Sequence, residues 1–377
     1  MDYKYVTDYT PIFIRITVRQ RSVTGYIKIG GTDMKVNIQE LEARNRRLFE
    51  AAGVPAEDAR IMTDVLLQTE MRGVFTHGFF RVPYYLNCIR SGGIKTNGEI
   101  SVVQDSPSLA VVDGNDNLGM VISKKAMELA IEKAKNTGIG IVNVRGSHHF
   151  GAAGYYTNMC VDQGMMGMAM SNGDILVAAT GSRVKSIGNN PFAFAAPAGK
   201  YNRVVYDIAM SHTSDKKVVK MAKDGQKLPD GWLIDKNGVP TNDPNEYEKG
   251  GTLMPFGGYK GYGMAMMVEL LAAVLSGAAM TTNVHAWNRN PEQGGNVGHF
   301  FMALDISRIT DPERFIRDTE EMIEGIKNSE KAVGVQEIFF PGEIENRKLQ
   351  AALESGTVEV DDATMEAFAK EEAYYGL

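Results

Sequence analysis

Cysteine is almost absent: Cys88 and Cys160 are the only two in 377 residues. Neither belongs to a C-x-x-C pair or stands at a metal-ligand spacing. That excludes a disulfide scaffold or a zinc ribbon and fits a reduced, cytoplasmic protein. Dense Lys/Arg runs are missing too, and the net charge is only −6, so nucleic acid is not an expected partner. No long apolar run is free of charge. The longest, Tyr262 to Ala279, carries Glu269 and a second half of small residues. It reads as a fully buried helix rather than a membrane span. There is no G-x-G-x-x-G, because the pairs Gly138/Gly140 and Gly261/Gly263 lack the third glycine. P-loop, G-x-S-x-G and H-E-x-x-H signatures are absent as well. Ordinary Rossmann dehydrogenases, P-loop enzymes, α/β-hydrolases and zincins are therefore poor fits. His148 and His149 are neighbours, and in an extended segment they would point to opposite sides, so no metal site is expected.

What the chain does hold is a concentrated stretch, Arg72-Gly73-Val74-Phe75-Thr76-His77-Gly78-Phe79-Phe80-Arg81. A hydroxyl, an imidazole and a guanidinium fall within six residues. His77 can exchange a proton near neutral pH. Arg81 lies four residues on and shares its face if the segment is helical. A planar fork beside a general acid/base suits a carboxylate next to a reacting oxygen. The same residues would also serve as a surface turn with a capping Thr and a solvated Arg.

Around this stretch the length suits two domains or one elaborate one. The first thirty-odd residues mix aromatic, β-branched and basic types without a signal-peptide core, and read either as an added strand pair or as an extension. Leu41, Leu48 and Phe49 mark a helix over Val36 to Ala52, and Pro55 suits the start of a second, whose Met62, Val65, Leu66 and Thr69 face inward. Strands are predicted at Leu109–Val112, Ile139–Val144, Met165–Met170, Phe192–Ala196 and Gly298–Ile309, and a helix over Met120–Asn136. The four methionines of Met165–Met170 read as ordinary core packing. Asp207 ends a hydrophobic strand, either as a functional carboxylate or as a cap. Two turns favour anions: Arg145–Gly154, from strand to helix, and Gly257–Gly263, whose Lys260 sits where a helix begins. A surface helix over Asp311–Glu330 and a helical tail from Pro341 complete the reading.

Taken in order, the segments Arg72–Tyr84, Ser147–Gly154, Gly188–Pro191, Asp207–Ser211, Leu228–Asp235, Gly257–Glu269 and Pro341–Glu343 resemble the NAD(P)-dependent malate/L-lactate dehydrogenases of the non-Rossmann type. That family also holds ureidoglycolate dehydrogenase, 2,3-diketogulonate reductase, sulfolactate dehydrogenase and cyclic imino-acid reductases. The likeness runs from about Val36 to about Glu345. It implies an α/β fold built on a mixed, largely antiparallel sheet with helices around it, plus a mostly helical part contributed by both chain ends. The expected division is an extension over 1–34, a helical substrate and dimer part over 35–115 and 310–377, and a cofactor domain over 116–309. It implies hydride transfer between NAD or NADP and a small 2-hydroxy/2-oxo acid of malate or lactate type in a cytoplasmic homodimer. The other activities of the family and a silent nucleotide-binding relative stand as alternatives.

The resemblance also assigns residues. His77 is the acid/base, Thr76 its support in place of the family's usual Ser, and Arg81 the carboxylate ligand. Asn189 stands where relatives commonly have Thr, at a position implied to touch substrate. His149 is a second acid/base candidate and, with Phe150, Gly151 and Ala152, lies along the cofactor. Asn172, Asp207, Ile208, Ala209, Lys260, Gly342 and Glu343 match cofactor-lining positions. For a carboxylate that orients His77, only Asp215 offers itself.

Overall fold

The computed structural model describes residues 34–377, so the extension expected before Met34 lies outside the described residues. The chain opens with β1 (Met34–Asn37), α1 (Ile38–Ala51) and α2 (Ala56–Met71). Asn37 caps α1 by accepting the Glu40 N–H. Two 3-10 turns, Phe75–His77 and Phe79–Arg81, lead into α3 (Val82–Ser91). The single helix considered for 72–81 is therefore broken at Gly78, whose bare Cα leaves room for the Glu70 carboxyl. A Cβ there would stand 1.9 Å from Glu70 Oε2, the oxygen that accepts the Phe79 N–H at 2.8 Å.

Next come β2 (Ser101–Asp105), β3 (Leu109–Asp113), α4 (Gly119–Thr137), β4 (Ile139–Ser147), α5 (Ala153–Val161) and β5 (Met165–Ser171). They are followed by β6 (Ile175–Ala178), β7 (Lys185–Gly188), β8 (Phe192–Pro197), β9 (Arg203–Ile208) and α6 (Asp215–Lys223). Short strands β10 (Leu233–Ile234), β11 (Pro240–Thr241) and β12 (Thr252–Leu253) precede α7 (Tyr259–Glu269), which continues as a π-helical turn over Leu270–Val274. The chain ends with β13 (Val297–Asp305), α8 (Pro312–Lys327), α9 (Glu343–Ser355), β14 (Thr357–Val360) and α10 (Asp362–Tyr375).

The main sheet has the order β2-β3-β4-β13-β5-β8-β9. Only β3–β4 is parallel, every other neighbouring pair in it being antiparallel. The α/β fold with a mixed, largely antiparallel sheet is thus as expected. A second sheet runs β11-β10-β12-β6-β7, and β1 pairs with β14. That last pair ties the two chain ends together. Its β14 was not foreseen within the helical tail, where four residues of alternating burial are too few to stand out.

Three large apolar clusters organise the packing among the described residues, beside a small fourth. One joins α1, α2, α3 and the C-terminal elements and takes in Trp287; the second packs α4 and α5 on the main sheet; the third lies between that sheet and α7. Ser101–Asp113, expected with the helical part, instead form the sheet's edge, while Ile323 of α8 packs with Ala198 and Phe340. The apolar run expected to be fully buried is not. Ala265, Val268, Ala272 and Ala273 face inward, but Met266, Leu270 and Leu275 are exposed, because a helix lying on one sheet buries only one stripe. No helix among the described residues is long and apolar enough to cross a membrane.

Candidate active site

Where α2 gives way to α3, the broken segment turns Thr76, His77 and Arg81 towards a cleft lined by rings. His77 Nδ1 lies 3.0 Å from Thr76 Oγ1, while Nε2 has no hydrogen-bond partner among the described residues. Burial and then the Arg81 charge push its pKa down to about 3, so the imidazole is neutral at physiological pH. Arg81 Nε donates to the Thr76 carbonyl at 2.7 Å. Its guanidinium lies 5.7 to 5.9 Å from the ring centres of Phe80, Tyr84 and Trp287. No carboxylate pairs with it among the described residues.

His149, arriving from the end of β4, stacks on His77 with ring centres 5.6 Å apart and planes within 14°. It also stacks on Trp287 at 4.7 Å. Its Nδ1 meets the Tyr85 hydroxyl at 2.5 Å. Burial first, then Arg81 and the neighbouring histidines, hold its pKa well below the usual value. Four of the expected residues, Thr76, His77, Arg81 and His149, therefore meet in one cleft.

Tyr85, Trp287 and Asp174 were not foreseen. Tyr85 follows Arg81 by one helical turn and was recoverable from that spacing. Trp287 lies far along the chain in irregular structure and carried no signal. Asp174, half-buried, has its pKa pushed up to about 6 by burial against the opposing pull of Arg81. Asp215, offered as the group that orients His77, does not do so. Its Oδ1 accepts the Lys216 N–H in the first turn of α6, and Thr76 occupies the Nδ1 side of His77.

The expected cofactor residues divide into groups. Phe150 is a core ring, stacked 4.5 Å from His299. Gly151 takes φ +81 and Ala152 caps α5. At the start of α5 the Gly154 N–H donates to Asp207 Oδ2 at 2.7 Å, on a residue that is otherwise exposed. Ile208 and Ala209 continue from it towards the turn that opens α7, since the Phe256 N–H donates to the Met210 carbonyl at 3.0 Å. There Gly257 and Gly258 take positive φ and Lys260 is exposed. Asn189 is half-buried, its carbonyl accepting the Met210 N–H at 2.7 Å. Gly342 packs against β9, where a Cβ would stand 2.8 Å from Val205 atoms.

Two of the expected residues have side chains occupied elsewhere. The Asn172 amide donates to the Ala279 carbonyl at 2.8 Å and accepts the Gly298 N–H at 2.9 Å, deep in the core. Glu343 is buried in an ion network with Lys327 and Arg347. Neither has a free polar atom to offer a ligand. Among the described residues no His/Cys/Asp/Glu group has the arrangement of a metal site.

A dinucleotide suits the remaining set on its chemistry. An exposed carboxylate at the foot of a helix accepts hydroxyls, and a glycine turn with an exposed Lys meets phosphates. Nothing stands within 4 Å of a Cβ built on Gly258, so the turn is open to a ligand.

Comparison with known proteins gives the family. The family model described as malate/L-lactate dehydrogenase matches residues 36–369. Malate dehydrogenase of Pyrococcus abyssi is 41% identical over 304 residues, covering 79% of this chain and 83% of that protein. L-sulfolactate dehydrogenase of Methanocaldococcus jannaschii is 41% identical over 295 residues, 78% of this chain and 84% of the relative. The solved structure of sulfolactate dehydrogenase from Methanocaldococcus jannaschii superposes with a TM-score of 0.86 at 36% identity, covering 91% of this chain and 98% of that one.

Proposed function

The chain belongs to the malate/L-lactate dehydrogenase family, and from that footing we propose that it moves a hydride between NAD(P) and C2 of a small 2-hydroxy/2-oxo acid in the cleft of His77 and Arg81. The observation that carries this reading is a neutral imidazole with one free nitrogen beside an unpaired guanidinium.

In the oxidative direction Arg81 grips the substrate carboxylate and so sets the C2 hydroxyl against His77. The tautomer that serves as base donates its Nδ1 proton to Thr76 Oγ1 and keeps the Nε2 lone pair for the substrate. The hydroxyl proton passes to Nε2 as the C2–H bond breaks, its electron pair leaving with the hydrogen and the C2–O bond becoming double. NAD(P), when bound, supplies the hydride acceptor. Lys260 would meet its phosphates and Asp207 a ribose hydroxyl, with the Phe150–Gly154 turn beside them. Reduction runs the same steps backwards, with His77 donating. Orientation and charge supply most of the rate enhancement, since the chemistry belongs to the cofactor.

A cytoplasmic homodimer completes the proposal. Tyr259, Met266, Leu270 and Leu275 are each about half exposed or more and fall at helical intervals along α7 and its π turn. An exposed apolar stripe of that kind is what a partner subunit covers. Sedimentation should therefore give twice the chain mass, and a monomer that stays monomeric at high concentration rules this out. The activity is tested by following nicotinamide absorbance with NADH and NADPH in parallel against pyruvate, oxaloacetate, 2,3-diketogulonate and piperideine-2-carboxylate. Turnover of a 2-oxo acid is expected. Turnover of the cyclic imine alone would replace the substrate class, and silence without cofactor binding would end the reading.

A further inference from the structure

The first turn of α6 brings a second cation to the cleft. Of its lysines, Lys217 lies 4.9 Å from the centre of the Trp232 ring and Lys220 pairs with Asp224 at 2.7 Å. Lys216 turns the other way: its ammonium lies 5.8 Å from the centre of the Tyr84 ring, the ring that the Arg81 guanidinium also faces at 5.9 Å. Among the described residues Lys216 has no carboxylate within ion-pairing distance, and it is half-buried. An ammonium with an aromatic face on one side and no counter-ion still has donors to offer.

The charges near Arg81 point the same way. Arg81, Arg289 and Asp215 all lie within electrostatic reach of Asp174, and Arg289 and Asp215 within reach of Lys185. Counting Lys185 with the two arginines, cations outnumber carboxylates by one there, and Lys216, which shares the Tyr84 ring with Arg81, adds one more. One substrate carboxylate on Arg81 leaves an excess positive charge beside it. A monoanionic acid would leave Lys216 without a partner; a dianion would satisfy both.

We propose that Lys216 reads a second anionic group, so that the preferred substrate is a dianionic 2-hydroxy/2-oxo acid, with Arg81 holding the carboxylate next to C2 and Lys216 the far carboxylate or sulfonate. The inference rests on the activity proposed above and deepens it. With the C2 oxygen on His77, the two anionic ends complete three points of contact, and three points fix which face of C2 meets the nicotinamide side of the cleft.

The test compares oxaloacetate with pyruvate in the wild type, Lys216→Met and Lys216→Arg. Wild-type kcat/KM should favour oxaloacetate. In Lys216→Met the oxaloacetate/pyruvate ratio of kcat/KM should fall about 10- to 100-fold, the worth of one charge-assisted hydrogen bond, chiefly through a higher KM for oxaloacetate. Lys216→Arg should restore most of the ratio, which a merely structural role for the side chain would not do. A ratio unmoved in Lys216→Met, or equal losses on both substrates, overturns the role of Lys216 while leaving the hydride-transfer reading intact. A wild type that prefers pyruvate overturns the dianion assignment. A wild type silent on both acids overturns the proposal together with the reading beneath it. Sulfopyruvate, run alongside oxaloacetate, tells a far sulfonate from a far carboxylate.

Discussion

His299 lies in β13 with both ring nitrogens engaged, Nδ1 with Ser171 Oγ at 2.9 Å and Nε2 with Ser147 Oγ at 2.8 Å, and its ring stacked on Phe150. His77 stands at the cleft with one nitrogen on Thr76 and the other free. Both are held neutral with pKa values pushed down to about 3, with different secondary influences. Burial dominates at each, but at His77 the Arg81 charge adds to it, whereas at His299 the nearby backbone of His148 pulls the other way. A depressed pKa therefore does not separate a structural imidazole from a working one. An unpartnered ring nitrogen within a substrate's reach does. His148 extends the lesson: both its nitrogens lack partners, but it is 1% exposed, so a substrate cannot reach it without the fold opening.

The sharpest way to break this contrast is to remove each ring in turn. His77→Ala should lower kcat about 10²- to 10⁴-fold, the usual worth of a positioned acid/base, and leave the thermal midpoint near the wild-type value. His299→Phe should do the reverse. It takes the imidazole from both buried hydroxyls; Ser171 Oγ keeps the Asn172 carbonyl at 2.6 Å, whereas Ser147 Oγ keeps only the His148 carbonyl at 3.5 Å. A penalty of about 1–3 kcal/mol therefore falls chiefly on Ser147, and the denaturation midpoint drops while the remaining folded enzyme turns over normally. Circular dichroism melts and initial rates on the same samples decide it. A His77→Ala enzyme with unchanged kcat removes His77 from the chemistry.

Direction of reaction gives a smaller but independent signal. Oxidation needs neutral His77, whose folded pKa of about 3 lies far below the working range. The oxidative kcat/KM, which reports the free enzyme, should then show no acid limb from this group above about pH 5. Reduction needs the protonated form, whose population falls as pH rises above the pKa. The reductive kcat/KM should decline about tenfold per pH unit across the neutral range. An anionic substrate on Arg81 offsets the positive charge that depresses His77, so the decline in kcat should set in at higher pH than that in kcat/KM. A flat reductive profile would assign the proton to another donor.

How far this cleft could be read beforehand depended on sequence distance. Thr76, His77 and Arg81 are consecutive enough for their chemistry to be visible in one line, and Glu70, which explains the glycine after His77, is only a helical turn or two before them. Its carboxyl, pushed up to about 8 by burial, occupies the space a Cβ at Gly78 would need. The opposite wall was not legible. Trp287 and Lys216 come from irregular structure and from the first turn of a charged helix, where composition says nothing about which way a side chain turns. Asn172 and Glu343 illustrate the converse. A family pattern identifies the position, but only the packing reveals that the amide already bridges Ala279 and Gly298 and that the carboxylate already holds Lys327. Strand alternation and helical stripes located most of the sheet and helices, because burial on one face leaves a period in the sequence. The four-residue β14 is too short to leave one.

The smallest expected effect lies between the two histidine environments, at Tyr85. Its hydroxyl, buried and with a pKa pushed far above its ordinary value, stays protonated and donates to His149 Nδ1 at 2.5 Å. With that donor gone, the nearest group to His149 Nδ1 is the Gly151 N–H at 3.4 Å, too long to hold the ring. His149 stacks on both His77 and Trp287, so Tyr85 acts on His77 through it, as a positioning residue. Tyr85→Phe removes one hydrogen bond and little volume, and kcat should fall only about fivefold, the worth of roughly 1 kcal/mol. A general loss of packing would give a similar number, so the informative experiment is the double variant. If Tyr85 works by holding His149 against His77, Tyr85→Phe should cost nothing further in the His77→Ala background. Losses that multiply in the double variant would mean that Tyr85 acts on the fold or the cofactor independently of His77, and that the stack is packing rather than alignment.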